Sequence, residues 1–106
     1  MTTVAAAVRA AVAVAVRAAV ALDADEGGRT RSAWRSREAA WRALEGAATV
    51  LVELLERDPA GRTLDVVARR ELDLWHAGGV SLDVIDAVAE RLWPDEFQTA
   101  AGEVAL

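Results

Sequence analysis

Residues 29–42, RTRSAWRSREAAWR, hold five arginines, two tryptophans and one glutamate. Basic residues interleaved with aromatics are the composition that binds single-stranded nucleic acid, by phosphate contact and base stacking. Helical geometry points elsewhere. Trp34 and Trp41 are seven apart and share a seam with Leu44 and Leu51, a spacing that predicts both indoles to be buried. Arg35 and Arg42 stand three or four residues from Glu38 and Glu45, where opposite charges pair along a helix. Arg37 occupies the seam itself, between Trp34 (i−3) and Trp41 (i+4). Its stem can cover an indole while its head stays wet, with a cation–π contact of about 0.5–2 kcal/mol. Alternatively, it can clamp an anion or a partner's carboxylate. Arg9 and Arg17 are the other ligand-binding candidates. They lie eight apart on a helix with no acids nearby, on one broad side.

No catalytic residue stands out. Cysteine is absent, which rules out disulfides, thiolate nucleophiles and zinc–thiolate sites. His76 is the single histidine, and one histidine without cysteine makes a poor transition-metal site. The acids show no calcium-loop spacing and there is no glycine-rich phosphate loop, so neither metal nor cofactor is expected. An enzyme here would need a site assembled from residues distant in the chain.

GGVSLDVIDAVAERL, residues 78–92, has the outline of a helix-turn-helix, but two features oppose DNA reading. Trp75, four places before Gly79, is too bulky for the tight crossing of such motifs. The would-be reading helix would expose Asp83, Asp86 and Glu90, which phosphates repel, and only Arg91 is basic. A helical hairpin is the expected structure, and no duplex DNA the expected partner.

The elements that carry these residues follow from composition and punctuation. At 106 residues one domain is expected, with hydrophobic residues at 54% and 25 alanines favouring helices. The net charge of −5 is uneven: residues 1–57 sum to +1 and residues 58–106 to −6, which disfavours nucleic acid and anionic membranes. VAAAVRAAVAVAVRAAVAL resembles a spanning segment, but Arg9 and Arg17 would each cost about 2.5–3.5 kcal/mol near a bilayer centre, and no basic cluster precedes it. A cytoplasmic protein without membrane contact is expected.

Threonine and serine caps, Gly-Gly pairs and the two prolines mark four helices, at about 3–22, 31–57, 64–77 and 82–93, with a tail at 94–106 that frays in part. Thr63 is the expected cap of the third helix. The architecture is an all-α bundle of two long and two short helices. The first helix has so little polar surface that it must be central or intersubunit, with Val8, Val12, Val16 and Val20 as the interface row. A homo-oligomer, preferably a dimer, is therefore expected. The function that fits is a non-catalytic interaction module that self-associates and binds another protein. The alternative is a small-molecule or anion-binding bundle, or a small enzyme, using Arg37, Arg9 or Arg17. Nucleic-acid binding through the Arg29 to Arg42 stripe ranks third.

Overall fold

Helices begin where a polar side chain can take up free backbone N–H groups. In the computed structural model, which describes residues 3–24, 30–58 and 61–96, Thr3 Oγ1 accepts from the Ala6 amide at 3.1 Å and opens α1, Val4–Asp23. Thr30 does the same for Ala33 at 3.1 Å at the head of α2, Arg31–Glu56. Ser81 accepts from Val84 at 3.4 Å at the head of α4, Leu82–Leu92. α3, Thr63–Ala77, departs from expectation. Thr63 is already helical, and Asp58 Oδ2 reaches across the connection to accept from the Leu64 amide at 2.8 Å. A carboxylate at this helix end also complements the macrodipole. All four helices lie within one residue of their expected bounds. The expected turn at 23–28 and the frayed tail fall largely outside the described residues, although residues 94–96 add one helical turn.

The junction between α3 and α4 explains the Gly-Gly-Val-Ser run. The Val80 amide donates to Trp75 O at 3.1 Å and the Gly79 amide to His76 O at 3.0 Å. This pair of bonds is a Schellman stop, which needs a left-handed residue next to the helix end. Gly79 supplies it, with φ 111°. Two residues later Ser81 starts the next helix. On α4, Asp83, Asp86 and Glu90 are exposed as expected.

The fold is an all-α bundle, and α1 is its centre. It packs on all three other helices, most extensively on α2. Val8, Val12, Ala15 and Val16 are 0% exposed, and no polar or charged side chain is buried among the described residues. Of the two roles expected for α1, the central one is what this chain builds. This corrects the interface row: Val8, Val12 and Val16 are spent inside one chain and have no surface to offer a second. Val20 is 40% exposed. A four-residue row advances about 40° per step, so Val20 lies about 80° round from Val12, past the edge of the buried arc.

Among the described residues, α1 is the one helix long and apolar enough to cross a bilayer, with a mean hydropathy of 1.9. Its buried valines face the other helices of its own chain. Arg9 and Arg17 are exposed on its outer side.

The partners of α1 supply Leu44, Ala47, Ala48 and Leu51 from α2, Leu64, Ala68 and Leu72 from α3, and Val84, Ile85, Val88 and Leu92 from α4. Leu82, expected in the α4 stripe, is 57% exposed. It sits about 60° from Ile85, on the side away from Val84 and Val88.

Two substitutions test which face of α1 is packed. Val12→Glu places a carboxylate where no water reaches, so the isolated chain should lose cooperative folding, at a cost of several kcal/mol. Val14→Glu, at a position 46% exposed, should change stability by no more than about 0.5 kcal/mol. Urea titrations of the two variants should differ accordingly; equal tolerance would show that α1 is not packed as described.

Candidate functional site

The seven-residue row of α2 does not stay in the core. Each heptad of a straight α-helix slips back by about 20°, and the buried face is centred between Leu44, Ala47, Ala48 and Leu51. Trp34 and Trp41 lie roughly 70–90° from that centre. They are 58% and 51% exposed, a correction to the expected burial. Only from Ala48 onward does the row meet the core.

The two indoles are about 10 Å apart along the axis and border one shallow groove of about 300 Å³ with Leu22 of α1, Arg37 and Glu38. Arg37 is half-buried between them, and Glu38 accepts from Arg42 Nη2 at 2.7 Å. Trp41 continues into a second depression with Leu22, Val84, Ala87 and Arg91, joining the α2 face to α4. There the Arg91 guanidinium lies 5.1 Å from the Trp41 ring centroid. Arg91 Nε donates to Glu45 at 2.9 Å and Nη1 to Ala87 O at 2.8 Å. These bonds fix one wall of the Trp41 site.

Of the expected ligand-binding residues, Arg37, Trp34 and Trp41 are therefore brought together. Arg9 and Arg17 are not. Arg17 points the other way, 5.8 Å from the Trp75 ring centroid, and it lies about 140° around α1 from Leu22, which borders the groove. Among the described residues, no second arginine joins Arg37 to line this groove as an anion clamp would require.

A second cluster carries no sequence signal beyond the four-residue Asp65–Arg69 spacing, because its members are 27 and 28 residues apart. Arg69 Nε donates to Asp65 Oδ2 at 2.9 Å, and Nη2 donates to Glu96 Oε1 at 2.5 Å. Its guanidinium lies 4.0 Å from the Trp93 ring centroid, and the Trp93 indole N–H donates to Asp65 Oδ1. Glu96, chiefly, and Asp65 hold Arg69 above its already high ordinary pKa, while partial burial opposes them. The cluster borders a surface groove of about 640 Å³, with Leu55 and Arg62. Its charges are satisfied mutually, so it serves as a clasp closing α3 onto the chain beyond α4.

His76 Nδ1 lies 2.9 Å from Val80 O. A carbonyl only accepts, so Nδ1 carries the proton and the ring braces the α3–α4 turn. Among the described residues, no group of three histidines, cysteines or acids is placed to hold a metal.

The exposed indoles remove one argument against base stacking, which had assumed them buried. The charges still oppose it: Glu38 stands within the tryptophan face, and Asp83 lies in the depression beside Trp41. Arg31 and Arg35 are exposed, while Arg29 lies outside the described residues. No protein-family model, no curated protein and no solved structure matches this chain.

A face with a single half-buried arginine should bind neither small anions nor nucleic acid tightly. Phosphate, dicarboxylates and a thymidine oligonucleotide should leave the melting temperature unchanged, and Arg37→Leu should alter stability by about 1 kcal/mol or less. A ligand that raises the melting temperature of the wild type and not of Arg37→Leu would restore the anion-binding alternative.

Proposed function

We propose that this chain is a non-catalytic protein–protein interaction module, a small acidic bundle of the cytoplasm that self-associates and binds another protein. The carrying observation is the exposure of two tryptophans on one helix flank, bracketing an arginine. A scattered exposed leucine means little, but a contiguous apolar patch on a folded surface marks a place of contact. Tryptophan and arginine are also the residues that most often carry interface energy.

Three further features support this reading. The core is filled with apolar side chains. The 640 Å³ groove beside α3 is bordered by a clasp whose charges already satisfy one another. The exposed acids of α4 and the net charge of −5 disfavour nucleic acid.

Light scattering coupled to size exclusion tests the self-association. The wild type should run at twice its 11.2 kDa chain mass at micromolar concentration, and the variant carrying Trp34→Ala with Trp41→Ala should run at the mass of one chain while keeping its helical circular dichroism. A wild type that stays at 11.2 kDa throughout would remove self-association from the function.

A further inference from the structure

The order of residues along the exposed flank of α2 is self-complementary. Trp34, Arg37, Glu38 and Trp41 border one groove and share an arc of about 100° on the helix. Reversing the direction of the segment places tryptophan on tryptophan and arginine on glutamate. From these spacings we infer that the occupant of this face is a second copy of the same chain, with the two α2 helices crossing antiparallel on a two-fold axis between Arg37 and Glu38. The inference rests on the self-association proposed above and adds its geometry.

A two-fold contact uses the same patch on both copies, so each residue must tolerate its symmetry mate. About this axis Trp34 lies opposite the second copy's Trp41, and Arg37 opposite the second copy's Glu38, each pairing occurring twice. In a parallel alignment Arg37 would meet Arg37 and Glu38 would meet Glu38, so the charges select the antiparallel arrangement. Glu38 already holds Arg42 at 2.7 Å, but a carboxylate has about four acceptor sites and a guanidinium five donors, so the cross-chain pair adds to the existing bonds. The indoles are exposed enough to meet, and Leu22 of α1 floors the groove between them.

Charge reversal tests this arrangement because it predicts which variants recognise one another. Arg37→Glu alone sets the introduced carboxylate against the second copy's Glu38 at both symmetric positions, and Glu38→Arg alone sets two guanidinium groups together. Each should weaken self-association on the order of a hundredfold and run as a single chain in sedimentation velocity. Mixing the two variants should restore the dimer, since each cross-chain contact then joins a carboxylate on one chain to a guanidinium on the other. The chain carrying both changes should dimerise by itself. Circular dichroism on each variant establishes that it is folded, and the double variant keeps the test decisive if one single variant folds poorly. If the wild type dimerises but the single variants do so equally, or the mixture fails to associate, the α2 geometry is wrong while self-association stands. A wild type that never dimerises overturns both.

Discussion

A helix made almost entirely of alanine and valine has most to gain from burial, and the molecule is arranged around hiding one face of it, while Val4, Val14 and Val20 stay exposed on the other side. Burying a valine stabilises the fold by about 2 kcal/mol, and Val8, Val12 and Val16 are each fully sequestered. Alanines between them let neighbouring helices approach closely, since interaxial distance is set by the side chains at the contact. α2, α3 and α4 each turn their narrower apolar stripe inward onto α1. The clasp of Arg69, Asp65, Glu96 and Trp93 and the bonds of Arg91 to Glu45 and Ala87 act at the rim of this core. They fix where α3 and α4 end relative to their neighbours.

This arrangement determines what is left for function. The face of α1 that carries Val8, Val12 and Val16 is covered within one chain, and the flank of α2 carries the exposed Trp34 and Trp41. The N-terminal half of α2 reaches past its best-packed segment and leaves Trp34 and Trp41 at the edge. The same slippage that drops the tryptophans out of the core places Arg37 and Glu38 beside them, so the proposed docking face and the core are two sides of one helix.

Much of the fold was legible in the sequence because its signals are local. Thr3, Thr30 and Ser81 cap the helices they precede, and Gly79 stops α3 through its left-handed backbone. Where the reading failed, the cause was geometric or long-range. A row of residues seven apart drifts by about 20° per heptad, which decides between burial and exposure for an edge residue such as Trp34. A row four apart drifts faster, and Val20 leaves the core. The cap of α3 comes from Asp58, outside the helix, and the clasp joins residues 27 and 28 apart; neither follows from a local pattern. For the candidate site, the grouping of Trp34, Arg37 and Trp41 was visible in their spacing. The separation of Arg9 and Arg17 from it depended on how α1 is rotated.

One chain covers the Val8, Val12 and Val16 face of α1 by itself, and the proposed association uses a separate face. Amide hydrogen exchange of α1, measured across a wide range of protein concentration, addresses this most directly. Protection at Val8, Val12 and Val16 should be among the highest in the molecule and should not change on dilution. Loss of that protection as the protein dissociates would mean that a second copy covers α1, and would contradict a core closed within one chain.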